Sequence, residues 1–173
     1  MSTRRMLVVA FAIAITFTQE QLLIFLPNIQ FTVLLMFVFA SVFNYKEMFT
    51  YVFVYVLIDS LYMGGFNLFY MVPMLIAWFS IALVYKVFLK GSTNIYKKAL
   101  FAALFGFYYG WTFIPFNMIQ TGVTNFIPYL IADLPYELIM AVTGFLTVLW
   151  GYEPLVKVIS QTMHEPVSSL KKY

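Results

Sequence analysis

All ten lysine and arginine side chains of this 173-residue chain fall in four places along it. They are Arg4 and Arg5, then Lys46, then Lys86, Lys90, Lys97 and Lys98, and finally Lys157, Lys171 and Lys172. Long apolar stretches separate these clusters, and every second connection between the stretches carries no cation. In membrane proteins Lys and Arg gather on the cytoplasmic side. Six crossings put every one of these cations on that side, and miscounting by one crossing would scatter them. The pattern predicts an all-α integral membrane protein, a six-transmembrane-helix bundle with both termini cytoplasmic.

Composition points the same way. The chain is 63% hydrophobic and 10% charged, against roughly 25% charge in an average soluble domain. The expected spans are 6–26, 31–43, 48–62, 70–89, 99–114 and 129–151, followed by a cytoplasmic tail over 152–173, all in a single membrane domain. The second and third are shorter than the roughly 20 residues of a full span, so one of them is expected to be tilted, buried or re-entrant. Arg4 and Arg5 precede an apolar run with no small-residue cleavage site and polar mature domain behind it, so the run is read as a retained first span. In the tail, a short amphipathic helix over Glu153–Met163 would set Lys157 at the headgroups, with Lys171 and Lys172 near anionic lipid.

Several chemistries are excluded by what is absent. With no cysteine, there are no disulfides, thiolate metal sites or cysteine nucleophiles. The single histidine, His164, sits in the polar tail, so no His-based triad or His metal cluster forms within the membrane. No GxxxxGK[ST] loop is present to bind ATP. The basic residues are too scattered for nucleic acid. Asp59 and Asp133 are the acids that an intramembrane aspartyl protease would need to face each other, but neither lies in a recognisable motif. No catalytic residue, metal or cofactor is expected.

The cation-free connections are rich in amides, glycine and aromatics. The first holds Gln19, Glu20, Gln21, Pro27, Asn28 and Gln30, and the third holds Gly64, Gly65, Asn67 and Tyr70. The fifth, read as a long loop from Pro115 to about Ala132, holds Asn117, Gln120, Thr121, Gly122, Thr124 and Asn125. Amides and hydroxyls beside aromatic rings can grip a small polar ligand, although aromatics also form ordinary interfacial belts. Charged groups at membrane depth are costly and usually functional. Asp59 lies in the third segment without a cation at its depth, leaving Ser60, Tyr62 or a ligand donor to satisfy it. Asp133 and Glu137 share a helix face; with Pro135 behind it, Asp133 reads as the N-cap of a helix from Leu134 to Trp150. Glu137 has no capping role, which makes it the better ligand candidate. Trp78 and Trp111 are flat surfaces suited to packing or to stacking.

Ala10 and Ala14 lie four apart in the first segment and stack on one helix face. Small residues let another backbone approach in lipid, where little hydrophobic force acts between helices. That face is either a docking groove or a packing surface for the chain's own helices.

With six spans, both termini inside, the alanine pattern Ala10-Phe11-Ala12-Ile13-Ala14 and polar outer connections, the chain resembles the substrate-binding S-component of energy-coupling factor (ECF) vitamin transporters over nearly its whole length. The resemblance implies a multi-pass protein of the bacterial plasma membrane that hydrolyses nothing itself. It implies partners: a transmembrane T-component docked on Ala10 and Ala14, and two cytoplasmic ATPases. It implies a vitamin pocket at the outer face, with Asp59, Asn67, Tyr70, Trp78, Tyr109, Trp111, Asn117, Gln120, Asn125 and Glu137 as substrate-binding candidates by location. The acids, amides and rings suit a neutral or weakly cationic ring compound such as hydroxymethylpyrimidine, pyridoxine or a thiamine-like vitamin. Pantothenate, cobalamin or another micronutrient stays open as substrate, and so does a stand-alone channel or intramembrane enzyme.

Overall fold

A computed structural model describes residues 2–164 of the chain. Among these residues every regular element is helical: α1 (Thr3–Leu22), α2 (Thr32–Val42), α3 (Tyr45–Tyr62), α4 (Leu68–Val84), α5 (Ile95–Thr121) and α6 (Phe126–His164). A π-helical turn, Tyr85–Leu89, prolongs α4. Local sequence sets these boundaries. Asn44 Oδ1 accepts from Glu47 N while the Glu47 carboxylate accepts from Asn44 N, each at 3.0 Å, closing a capping box on α3. Asn67 and Asn94 cap α4 and α5 through their side-chain oxygens. Gly122, at φ 72°, ends α5 in the left-handed conformation that glycine adopts without strain.

Three helical stretches are long and apolar enough to cross a membrane: Leu68–Leu89, Ile95–Thr121 and Phe126–Thr162. The α2 helix is not, at 11 residues. It is instead the buried centre of the bundle, with every residue from Thr32 to Ala40 buried, as suits a helix apolar on all sides. Around it run α1, α3, α4, α5 and α6, each packed on the next, and α2 itself packs on α1, α4 and α6. Polar ties join α6 to the α1–α2 connection at one end and to the start of α1 at the other. Asn28 Nδ2 donates to the Tyr136 carbonyl at 2.9 Å, and the Arg4 guanidinium donates to the Thr162 carbonyl.

The α5–α6 interface is the most extensive, and small residues make it close. A Cβ on Gly106 would lie 2.6 Å from Ala141 N, and one on Gly144 would lie 3.1 Å from the Ala102 carbonyl oxygen. This is the small-residue packing by which membrane helices approach.

The helices alternate in direction, so the chain has two chemically different ends. Every described lysine and arginine lies at one of them. There Arg5 pairs with Glu47, Lys86 Nζ donates to the Phe43 carbonyl at 2.6 Å, and Lys98 Nζ sits 4.3 Å from the centre of the Tyr152 ring. The opposite end holds Glu20, Asp59, Asp133 and Glu137.

Three sequence expectations need correction. The expected loop from Pro115 to Ala132 is mostly helical: α5 continues through Pro115 to Thr121, and α6 begins at Phe126. Proline loses one backbone bond, to the carbonyl four residues back, and the long flanking packing of α5 on α6 outweighs it. Asp133 is therefore inside α6 rather than its cap. The separate helix over Glu153–Met163 is likewise the continuation of α6 through Pro154. At 39 residues, or about 58 Å at 1.5 Å per residue, α6 outreaches a hydrocarbon core of about 30 Å. Lys171 and Lys172 lie outside the described residues.

Candidate functional site

At the cation-free end two neighbouring cavities lie near the connection between α1 and α2. The first, of about 210 Å³, is lined by Glu20 and Gln21 of α1, by connection residues from Leu23 to Gln30, by Asp59 and Met63, and by Tyr70 and Tyr109. The second, of about 190 Å³, lies between α5 and α6 and is lined by Gly110, Phe113 and Asn117 on one side and Asp133, Tyr136 and Glu137 on the other. Asn28 and Tyr109 stand in the walls of both of these lobes.

Gln19 holds the connection that roofs the site. Its Nε2 donates to Thr32 Oγ1 at 2.7 Å, and its Oε1 accepts from Phe31 N at 2.8 Å, so one amide caps the start of α2 and ties it to α1. Asn28 stands in the left-handed region at φ 59°, a conformation that Asn tolerates better than most residues. Its tie to Tyr136 anchors the roof across the second lobe.

In the first lobe Asp59 is 2% exposed. Its Oδ2 accepts from Tyr70 OH at 2.7 Å, and Gln21 Nε2 lies 3.5 Å from Oδ1. Ser60 and Tyr62, the partners expected from sequence, serve elsewhere. Ser60 Oγ donates to the Gly65 carbonyl, and Tyr62 is exposed. The helical rotation that buries Asp59 toward α1 and α4 turns both neighbours away. Glu20 accepts from the buried hydroxyl of Tyr55.

In the second lobe Glu137 is also 2% exposed. Its Oε2 accepts from Trp111 Nε1 at 3.0 Å, and its buried Oε1 has no partner. Asn117 Nδ2 donates to Tyr129 OH at 3.1 Å. The rings of Tyr70, Phe113, Tyr109 and Trp78 run in sequence beneath the lobes, with successive centroids 5.8, 4.9 and 5.0 Å apart.

Of the residues singled out from sequence, Asp59, Tyr70, Tyr109, Asn117 and Glu137 line the lobes. Trp111 stands behind Glu137 and orients it, and Trp78 is fully buried under Tyr109. Asn67, Gln120 and Asn125 are exposed and outside the lining. Asn67 is spent on capping α4, and the shortness of the α5–α6 loop keeps Gln120 and Asn125 at the rim. The sequence reading passed over Glu20, Gln21, Asn28 and Tyr136. The first three stood in the polar first connection, where an acid and two amides beside Pro27 were the available signal. Asp59 and Asp133 line different lobes.

Ala10 and Ala14 are exposed, whereas Ala12, on the opposite face of α1, is completely buried. The exposed face continues through Leu7, Phe11 and Ile15.

The larger clefts elsewhere have different chemistry. Those lined by Ile81 and Phe105 and by Phe49 and Phe79 are apolar, and one at the basic end is lined by Arg5, Lys86 and Lys90. No known protein family, curated protein or solved structure matches this chain.

Proposed function

We propose that this chain is the substrate-binding S-component of an ECF-type importer, capturing a ring-containing vitamin or vitamin precursor at the outer face of a bacterial plasma membrane. The observation that carries the reading is the pair of neighbouring polar cavities at the cation-free end, near the first connection. The positive-inside rule places that end outside the cell, where a scavenged nutrient arrives. On this reading both termini lie inside and the chain passes the bilayer six times, with α2, at 11 residues or about 16 Å, as a half-length pass enclosed by protein and completed by the connection before it. Aromatic rings beneath a polar cavity suit a flat compound such as hydroxymethylpyrimidine, pyridoxine or a thiamine-like vitamin. Pantothenate fits less well, since its carboxylate finds no side-chain cation at this end.

The exposed Ala10–Ala14 face supports a membrane partner, a T-component that couples to two cytoplasmic ATPases. ATP hydrolysis belongs to those subunits. The test is to purify the tagged chain from its own membranes in mild detergent. Co-purification of a transmembrane protein and two ATPases, lost in Ala10→Trp or Ala14→Trp, supports the reading. A complex indifferent to both bulky substitutions, or the absence of any such complex, overturns it.

A further inference from the structure

Resting on the capture reading above, we propose that the ligand of the two lobes is an organic cation: a flat ring that carries positive charge and presents N–H donors toward both ends. Each lobe contributes two carboxylates, Glu20 and Asp59 in the first, Asp133 and Glu137 in the second. Every described cation lies at the other end of the bundle. Buried carboxylates are costly unless paired or hydrogen-bonded; Asp59 and Glu137 are buried, Glu20 and Asp133 half-buried, and none has a cationic side chain beside it at this end. Glu137 carries the point independently of the charge count. It is 2% exposed, it lines the second lobe, and its Oε1 has no hydrogen-bond partner within the described protein. Oε1 packs against Gly110 in the unliganded chain, and a turn of the Glu137 side chain toward the lobe brings it to an N–H donor of a bound molecule, whose positive charge strengthens the bond.

A metal ion is the competing cation, and the placement of the acids argues against it. Among the described residues no three acidic or histidine side chains come together closely enough to hold one. The carboxylates are divided between two cavities with Tyr109 in the wall of both, so they are spread too widely for one point charge. Tyr109 and Phe113, 4.9 Å apart between centroids, offer ring faces that attract a cationic heterocycle as well as stack on it. An anion of the same size would meet carboxylates in both lobes.

The experiment uses the full chain purified in detergent, with thermal unfolding and calorimetry against four probes. Pyridoxamine and pyridoxine share a ring and differ in one exocyclic group, an ammonium against a hydroxyl. Thiamine carries a permanent ring cation, and pantothenate is an anion. At millimolar concentration the two cationic probes are expected to raise the unfolding temperature, pyridoxine to do so less, and pantothenate not at all. Glu137→Gln and Asp59→Asn should each weaken the cationic probes about tenfold or more, the loss of a charge-assisted bond. Glu153→Gln, at the basic end, should leave them unchanged. Equal stabilisation by pyridoxine and pyridoxamine, preference for pantothenate, or no shift with either cation overturns the proposal. Native mass spectrometry separates it from the importer reading. A neutral or anionic endogenous ligand ends the charge assignment and leaves capture standing. Cation binding by a chain that never assembles with a membrane partner and ATPases ends the importer reading and leaves the charge assignment standing.

Discussion

Glu137 lies so close against Gly110 that a Cβ on the glycine would sit 2.6 Å from the carboxylate Oε1. The bare Cα of α5 is therefore the surface on which the buried carboxylate rests, while Trp111 fixes its other oxygen. Gly110→Ala must move a side chain, which rotates at modest cost. Gly106→Ala, one turn earlier, meets the Ala141 backbone at 2.6 Å, and only separation of the two helices relieves that contact. Gly106→Ala is expected to cost about 1–3 kcal/mol, read as a lowered unfolding temperature in detergent. Gly110→Ala should lower stability less and ligand affinity more. Equal effects on both readouts would show that Glu137 has no special seat.

The two faces of α1 make a second contrast. Ala12 is completely buried, while Ala10 and Ala14 face outward. Ala12→Trp should prevent a stable fold, because a ring cannot enter a close-packed core. Ala10→Trp and Ala14→Trp should leave the isolated chain's unfolding temperature within about 2 °C of wild type, as surface changes usually do, and act only on assembly. Circular dichroism melts of the three variants, set beside co-purification yields, check the distinction.

Much of this was legible in the chain because it depends on one-dimensional signals. Apolar runs and cation positions located the helices, whereas the capping roles of Asn44, Asn67 and Asn94 came only with the fold. The fifth connection was misjudged because proline and amides normally punctuate loops. Whether Pro115 breaks a helix depends on what that helix packs against, and the close seam through Ala102, Gly106 and Gly110 is a tertiary property. The site divided in the same manner. Asp59 and Glu137 stood out because charge in an apolar run needs a reason. Glu20 and Asn28 stood only as two among several polar residues of the first connection. Their place in the lining depends on the fold of the first connection back over the bundle, which hydropathy does not encode.

Asn28 tests that roof. It combines a left-handed backbone at φ 59° with a side-chain bond to the Tyr136 carbonyl at 2.9 Å. Asn28→Gly removes the bond and keeps the backbone at ease. Asn28→Ala removes the bond and loses the tolerance of asparagine for the left-handed region, a conformation that costs most L-residues about 1 kcal/mol or more. Ligand dissociation should quicken in both variants, and Asn28→Ala should be the less stable. Stopped-flow dissociation and thermal melts read the two effects separately. An unchanged dissociation rate in both variants would remove Asn28 from the account of the site.

At the basic end, the Arg5–Glu47 pair makes stability depend on pH. Glu47 is fully buried and its Oε2 accepts from Arg5 Nη2 at 2.6 Å. The bond from Arg5 chiefly holds its carboxyl below the ordinary value of 4.5, aided by the backbone N–H of Asn44 and opposed by burial. A carboxyl whose folded pKa is depressed stabilises the protein above its unfolded pKa, and that contribution fades as pH falls through the folded one. The contribution of Glu47, read as the difference in unfolding temperature between wild type and Glu47→Gln, should thus hold from neutral pH down to about 4.5, the ordinary value, and shrink below it. Glu47→Gln should be less stable than wild type at neutral pH and approach it in acid. Arg5→Met should cost more than Glu47→Gln, because it leaves a buried carboxylate without its cation, whereas Arg5 is 39% exposed and water can solvate it. Roughly 1–3 kcal/mol is expected for Arg5→Met, the lower part of the range reflecting that exposure. Melts from pH 3 to pH 8 would refute the pairing if Glu47→Gln and wild type ran parallel throughout.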